Sequence, residues 1–295
     1  MEDDVMFENF KVGFPEYYAP LPSIPMSLER MGLDPNGDYS PSKENLQKLM
    51  YASVRSIPFE SLDCSDYQRR VDFAPPNLFE KIVLNRRGGY CFEINGFFMA
   101  LLQGLGYDCF ALSGRLLFGR EVFNPMSHRT TVVRIDGKRY LCDVWYGNGC
   151  AEGPVDIDDP EIQEIQGNRY VMRHHKDGPF GDITLVRYLE DGTESLFYTV
   201  YLHPHSLLEF VAPNERSQNT FRTWRVVHLR TDTGNLIIDR QMFRRKVNGE
   251  VFEEEITNYP QLYKILVDEF KMIVPRYSFS PDFPREFADY KLDKR

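Results

Sequence analysis

A cysteine follows two glycines and opens a segment with helical spacing. Residues 87–91 read Arg-Gly-Gly-Tyr-Cys, and apolar residues recur after Cys91 at the intervals of a helix. The first turn of a helix carries unpaired N–H groups and the positive end of the helix dipole, and both favour a thiolate over a thiol. The position therefore predicts a reactive nucleophile at a helix N-terminus.

His128 is the histidine best placed to act as a base for that thiol. The Asp-Gly pair at 136–137 is a strong hairpin turn, so counting outwards places His128 opposite Trp145. Side chains two apart on a strand share a face, which makes Asp143 a diagonal neighbour of His128, about 7 to 8 Å away between backbones. A cysteine nucleophile needs a base and a group that orients it. Unless a bulge shifts the register, Cys91, His128 and Asp143 are predicted to be the catalytic residues.

The other histidines and cysteines lack such surroundings, and no metal site is expected. The remaining histidines are expected to be exposed or structural: His174, His175, His203, His205 and His228. The remaining cysteines are expected to behave as small apolar residues or unreactive thiols: Cys64, Cys109, Cys142 and Cys150.

Composition restricts the partners and the location. The 295 residues carry a formal charge of -9, and nucleic-acid binding needs clustered cations, so no nucleic acid is expected. No apolar run is long enough to span a membrane and no apolar leader follows the acidic N-terminus, so no membrane contact is expected. Because the cysteines are too few and too irregular for a disulfide scaffold, a reduced, cytoplasmic location is expected.

The apolar periodicity divides the chain into three parts and predicts an α+β fold. Residues 1–106 are expected to form an N-terminal arm and a helical bundle that carries the nucleophile. Residues 107–205 contain short alternating runs and are expected to form a β-barrel that carries His128 and Asp143. Residues 206–295 mix strands with a helix and are expected to form an α/β unit.

Individual helices are predicted from caps and apolar stripes. Ser40 is expected to cap a helix over 41–55, a second helix is expected after Pro76, and a third from Cys91. A late helix is expected over 260–272. The second strand of the hairpin that follows His128 is expected to run over 139–145.

The residues around the nucleophile resemble the signature of the arylamine N-acetyltransferases. Residues 87–93 read Arg-Gly-Gly-Tyr-Cys-Phe-Glu and are followed by Asn-Gly at 95–96. His128 lies 37 residues after Cys91, and Asp143 lies 15 residues after His128, as in that family.

Two earlier runs are similar to further landmarks of the family. They are Leu-Glu-Arg-Met-Gly at 28–32 and Ile-Pro-Phe-Glu at 57–60. The resemblance is specific over about residues 26–150 and extends to the rest of the chain by length and layout. It implies a helical bundle, a β-barrel and an α/β lid.

The resemblance also implies a ping-pong reaction. Acetyl-CoA or another acyl-CoA acts as co-substrate, with no tightly bound cofactor, and the nucleophile passes the acyl group to an aromatic amine or hydrazine. By position, Phe59 and Tyr146 match residues that line the acceptor pocket, and Trp145 replaces a glycine beside them. Asn214 and Thr220 fall in the segment that handles CoA in relatives.

Two other functions remain open on the sequence. A transglutaminase-like or papain-like cysteine enzyme uses Cys, His and Asp in the same chain order. A binding protein that keeps the fold without turnover is a third possibility, against which the three intact residues argue. The preferred acyl group, the amine acceptor and the oligomeric state are not determined by the sequence.

Overall fold

The computed structural model describes residues 13–117, 124–145, 150–176 and 180–274. Within these ranges the α-helices are α1 (Ile24–Arg30), α2 (Lys43–Ser56), α3 (Leu62–Ser65), α4 (Pro75–Phe79), α5 (Cys91–Gly104), α6 (Val211–Phe221) and α7 (Tyr259–Asp268). Short 3-10 helices occupy Pro15–Tyr18 and Leu207–Phe210, and a π-helical turn, Glu80–Leu84, continues α4. None of the helices within these ranges combines the length and apolar character needed to cross a bilayer.

The described strands form two antiparallel sheets. They are β1 (Phe59–Glu60), β2 (Asp108–Leu116), β3 (His128–Ile135), β4 (Lys138–Cys142), β5 (Val155–Asp156), β6 (Gln163–Ile165), β7 (Asn168–His174), β8 (Ile183–Tyr188), β9 (Glu194–Val200), β10 (Val226–Thr231), β11 (Gly234–Asp239), β12 (Met242–Val247) and β13 (Glu250–Glu255).

An eight-stranded sheet in the order β5-β4-β3-β2-β9-β8-β7-β6 curls so that its two ends approach each other, which gives a nearly closed barrel. A five-stranded sheet has the order β1-β10-β11-β12-β13, and α7 lies in the same hydrophobic cluster as its strands. The fold is α+β, with a helical bundle, a barrel and an α/β lid, as predicted. The boundaries at residues 106 and 205 stay a prediction.

Helix α2 starts two residues later than predicted. Ser42, not Ser40, caps it, because the Ser42 hydroxyl accepts a hydrogen bond from the Asn45 N–H at 3.1 Å. Ser40 instead accepts the Asn45 side chain on its carbonyl. The predicted apolar stripe is buried: Leu46, Leu49, Met50 and Val54.

Helix α7 is shorter than predicted. It spans Tyr259–Asp268 rather than 260–272. Lys271 adopts a left-handed backbone, with φ at +57°, which a right-handed helix does not include. The face that packs into the lid is the one expected from the apolar spacing: Leu262, Ile265 and Leu266.

Helix α5 lies inside the protein. All residues from Cys91 to Leu102 are buried, as expected of a helix that is apolar on nearly every side. It packs against α4 on one side and against β2 and β3 of the barrel on the other. This packing brings its N-terminus to the start of β3.

The hairpin of β3 and β4 keeps the register that its Asp-Gly turn predicts. Five consecutive pairs end at Thr131 opposite Cys142. The second strand was expected to reach Trp145, but it ends at Cys142. It ends there because the Val144 N–H donates to Asn95 Oδ1 of α5 at 3.0 Å instead of continuing the ladder.

The glycine turn before α5 is held against the chain at Pro58. The Gly89 N–H donates to the Pro58 carbonyl at 3.3 Å, and the Glu60 N–H donates to the Gly89 carbonyl at 2.9 Å. A Cβ at Gly88 would lie 1.7 Å from the Pro58 carbonyl oxygen, so only glycine fits. This close approach fixes where Cys91 begins its helix.

Replacing Gly88 with alanine should therefore damage the fold around the nucleophile. We expect Gly88→Ala to lower the free energy of unfolding by more than about 3 kcal/mol, because the backbone at Pro58 must move. Urea unfolding followed by circular dichroism measures the change. Gly13→Ala is the control, because no atom lies within 4 Å of its added Cβ. An equal, small effect of both substitutions would contradict this packing account.

Candidate active site

Cys91 is the first residue of α5, and its side chain faces the start of β3. The residue is 4% exposed, and its Sγ lies 3.6 Å from the carbonyl oxygen of Ser127, the residue before His128. The sulfur therefore sits where the nucleophile helix meets the barrel, on the side of His128.

His128 is fully buried and bonded to Asp143. Its Nε2 lies 2.6 Å from Asp143 Oδ2, which is the distance of a charge-assisted hydrogen bond. The other ring nitrogen, Nδ1, has no hydrogen-bond partner among the described residues. The side chain of Cys91 interacts with the same imidazole. The structure thus brings together the three residues that the sequence singles out.

The surroundings of His128 favour its charged form. Burial opposes the imidazolium, but the Asp143 carboxylate and the Cys91 sulfur outweigh this effect and raise the pKa of His128 to about 10. A cationic imidazole beside a sulfur stabilises the thiolate, which is the reactive form of cysteine.

Asn95 holds the carboxylate in place. It lies one helical turn after Cys91, and its Nδ2 donates to Asp143 Oδ1 at 2.9 Å and to the Arg129 carbonyl at 2.7 Å. Both carboxylate oxygens of Asp143 are therefore bonded, one to His128 and one to Asn95. Asn95 is in the family signature, but its function was not predicted, because the contact partners come from another part of the chain.

Tyr198 was not predicted either. It lies on β9, and its ring packs on the His128 ring at 4.9 Å between centroids. Burial and the nearby Asp143 carboxylate raise the pKa of Tyr198 well above its usual value, so the phenol stays neutral. No local sequence pattern connects β9 to the hairpin, because the barrel topology alone makes these strands close.

A buried charge network lies beneath the start of α5. Lys81 Nζ contacts Asp63 Oδ2 and Glu93 Oε1, both at 2.6 Å. The other oxygen of Glu93 accepts the N–H of Tyr90 at 3.0 Å, which satisfies one free donor of the helix N-terminus. Burial raises the pKa of Glu93 to about 7, although Lys81 counteracts it.

Two further arginines, Arg87 of the glycine turn and Arg30 of the landmark at 28–32, make buried contacts in the same region. Arg87 Nη2 contacts Glu60 Oε1 at 2.7 Å and Asp63 Oδ1 at 3.1 Å. Arg30 donates to the carbonyl of Ile82 at 2.7 Å and to other main-chain oxygens nearby. These long-range bonds tie 28–32 and 57–60 to the glycine turn.

Of the predicted acceptor-pocket residues, Trp145 lies beside the imidazole and Phe59 packs on Trp145. The Trp145 ring is 4.7 Å from the His128 ring and 5.6 Å from the Phe59 ring, in each case between centroids. Phe59 also contacts Phe221 of α6 at 6.1 Å. Trp145 is buried against these rings, so it fills space next to the reacting groups. Tyr146 lies outside the described residues.

The two residues suggested for CoA binding lie on α6. The Asn214 side chain accepts a hydrogen bond from the Tyr90 hydroxyl and donates to the Val71 carbonyl at 3.1 Å. Its amide is thus used in packing α6 against the nucleophile loop. Thr220 is exposed at the other end of the helix. A contact of either residue with CoA stays a prediction.

The other thiols differ from Cys91 in their surroundings. Burial raises the pKa of Cys109 to about 12, and it raises the pKa of Cys64, Cys142 and Cys150 above the usual value as well. No imidazole contributes to these shifts. These four side chains are expected to stay thiols at neutral pH.

Removing the charge of Asp143 should change the reactivity of Cys91. In Asp143→Asn the imidazolium loses its partner, so the pKa of His128 falls and Cys91 should react more slowly with iodoacetamide at neutral pH. Turnover should fall on the order of 10³-fold. The rate of iodoacetamide labelling at neutral pH, followed by mass spectrometry, measures the change. Asp136→Asn in the hairpin turn is the control, and an unchanged labelling rate in a folded Asp143→Asn protein would contradict the role of the carboxylate.

Known proteins are similar to this chain in sequence. A family model described as N-acetyltransferase matches residues 43–278. An arylamine N-acetyltransferase of Mycolicibacterium smegmatis is 35% identical over 155 residues, which cover 51% of this chain and 56% of that protein. The arylamine N-acetyltransferase / N-hydroxyarylamine O-acetyltransferase of Salmonella typhimurium is 27% identical over 238 residues, which cover 78% of this chain and 82% of that protein.

Solved structures agree in fold. The arylamine N-acetyltransferase of Salmonella typhimurium superposes with a TM-score of 0.78 at 24% identity, covering 87% of this chain and 93% of that chain. The Mycobacterium marinum enzyme, solved in complex with CoA, superposes with a TM-score of 0.75 at 20% identity and covers 87% and 97%. Since the family model spans most of the chain, the protein belongs to the arylamine N-acetyltransferase family.

Proposed function

We propose that the protein transfers a short acyl group, acetyl in the first instance, from CoA to an aromatic amine or hydrazine by a ping-pong reaction. The proposal rests on one observation above all. A buried imidazole lies 2.6 Å from Asp143 on one side and interacts with the Cys91 sulfur on the other. Membership of the family supports transfer to arylamines.

The first half-reaction acylates Cys91. The thiolate attacks the carbonyl carbon of the thioester, a new C–S bond forms, and the bond between the acyl carbon and the CoA sulfur breaks. The departing CoA thiolate takes the proton of the His128 imidazolium and leaves as a thiol. N–H groups at the start of α5 are placed to stabilise the oxyanion of the intermediate.

The second half-reaction transfers the acyl group. The amine nitrogen attacks the acyl carbon, and the neutral imidazole of His128 takes a proton from that nitrogen. The bond to Cys91 Sγ breaks, and the thiolate–imidazolium pair is restored. Asp143 steadies the imidazole in both halves, because its bond to Nε2 fixes the orientation of the ring.

The co-substrate is proposed from the family. The Mycobacterium marinum enzyme has been solved with CoA bound, and a thioester is electrophilic enough for a thiolate to attack without a metal ion. Assays with a panel of acyl-CoA donors would show whether the protein prefers an acetyl, propionyl or malonyl group. The cytoplasmic location expected from the sequence stays a prediction.

Two alternatives are less well supported. A transglutaminase-like or papain-like enzyme uses the same three residue types, but the family match favours acyl transfer from CoA. A binding protein without turnover has no need of a buried imidazole between a sulfur and a carboxylate. One assay separates the transferase from both alternatives. A transferase releases CoA from an acyl-CoA and then forms an amide with the amine.

The acyl-enzyme provides the direct test. Incubation with acetyl-CoA alone should add one acetyl group to the intact protein at Cys91, and a later addition of an arylamine should remove it. Mass spectrometry of the protein measures both steps. Cys91→Ser should show no acyl-enzyme, because an alcohol is a far weaker nucleophile here. Cys109→Ser, on β2, is the matched control, and normal turnover by Cys91→Ser would refute the proposed nucleophile.

Trp145 is expected to limit the size of the acceptor. Because its indole fills space beside His128, Trp145→Ala should raise the kcat/KM ratio of a fused-ring arylamine to a simple hydrazine by about 10-fold or more. Steady-state kinetics with both acceptors measures the ratio. Trp224→Ala is the control, because Trp224 is 38% exposed and stacks on Phe221 instead. A ratio that does not change would place the acceptor elsewhere.

A further inference from the structure

The residue after His128 is a buried arginine. Arg129 is 2% exposed, and alternation along β3 directs its side chain to the face opposite His128. It passes α5 at Gly96, where a Cβ would lie 2.8 Å from Arg129 Nη1. The glycine therefore makes room for the guanidinium on a side of α5 away from the sulfur.

Among the described residues, Arg129 has no carboxylate partner. Its hydrogen bonds are a long one to the Phe92 carbonyl at 3.4 Å and one to the Met99 sulfur at 3.9 Å, and its Nε has none. The guanidinium also contacts two aromatic rings: its Cζ lies 5.2 Å from the ring centroid of Phe210 and 6.0 Å from that of Phe73. Burial lowers the pKa of Arg129 to about 10, so the group is still a cation at neutral pH.

A buried cation without a counter-ion is unfavourable. Removing an ion from water costs several kcal/mol, and buried charges in proteins are normally paired. Among the described residues, Arg225 pairs with Asp66 and Arg87 pairs with Glu60. Buried Arg30 instead donates to four main-chain carbonyls. Arg129 differs from these three arginines, because among the described residues it has neither a carboxylate nor more than one carbonyl as a partner.

The guanidinium borders a cavity of about 220 Å³. Around it stand Tyr17 and Phe73, together with Ala100 of α5. Tyr17 stacks on Phe73 at 4.6 Å. Pockets for drug-sized ligands have about 300 to 1,000 Å³, so this cavity suits a single-ring molecule.

We propose that this cavity is a second ligand site, which binds a small aromatic carboxylate. The carboxylate pairs with Arg129 in a bidentate geometry, and the ring of the ligand packs against the aromatic residues that border the cavity. The planar guanidinium matches a planar carboxylate, and the walls favour a ring over a simple inorganic anion. The cavity itself thus defines both the charge and the shape of its occupant.

This site is separate from the candidate active site. Gly96 and Ala100 border the cavity, whereas Cys91 and Asn95 face the imidazole and its carboxylate. At about 100° per residue, these two pairs lie on different sides of α5. Occupation of the cavity therefore does not require an empty acceptor pocket, and its test does not depend on acyl transfer.

Benzoate is the probe, with benzamide as its uncharged counterpart. Isothermal titration calorimetry is run on the full chain after Cys91 has been alkylated with iodoacetamide, so that the acceptor pocket is obstructed. We expect one benzoate per chain and binding of benzamide about 10-fold weaker or more, because the charged hydrogen bonds are lost. No benzoate binding, binding abolished by alkylation, or equal binding of both probes would overturn the proposal.

Substitutions locate the ligand. Arg129→Met should weaken benzoate binding about 10-fold or more, while Arg173→Met, an exposed arginine on β7, should leave it unchanged. Ala100→Leu keeps the charge of Arg129 but fills the cavity, so it should also abolish benzoate binding. This variant provides the test if Arg129→Met does not fold. Unchanged affinity in a folded Arg129→Met or Ala100→Leu protein would overturn the proposal.

Discussion

The hydrogen bonds of one buried amide join the two halves of the candidate active site. Asn95 is on the nucleophile helix, and its side chain bonds to Asp143, to the N–H of Val144 and to the carbonyl of Arg129 on the barrel. The distance between sulfur and imidazole is thus set by a helix and a hairpin that cannot slide past each other. In a buried site each of these bonds is retained, since breaking one leaves a polar group without a partner.

The buried charge network also fixes the position of the start of α5. Lys81 and Arg87 neutralise Glu60 and Asp63 where the glycine turn passes Pro58, and Glu93 links the network to the first N–H groups of α5. Buried ion pairs contribute little net stability compared with apolar packing, but they penalise any arrangement that separates them. The network therefore acts mainly on the position of the helix start.

Local signals explain what could be predicted. The Asp-Gly turn fixed the register of β3 and β4, and the glycines before Cys91 indicated the helix start, because both depend on neighbouring residues only. Ser42 rather than Ser40 as the cap of α2 shows the limit of such signals, since either of two serines two residues apart can cap a helix. Tyr198 beside His128, and Arg129 beside its cavity, depend on how distant strands and an N-terminal arm pack, which no local pattern contains.

Strand β1 has a consequence for how the chain reaches its native state. Phe59 and Glu60 belong to the first part of the chain, yet they pair with His228 and Val227 at the edge of the lid sheet. A bond between segments so far apart in sequence forms late, because a long loop must close first. A fragment that starts after the barrel would lack this edge strand, and the edge of β10 that it leaves unpaired would be prone to association.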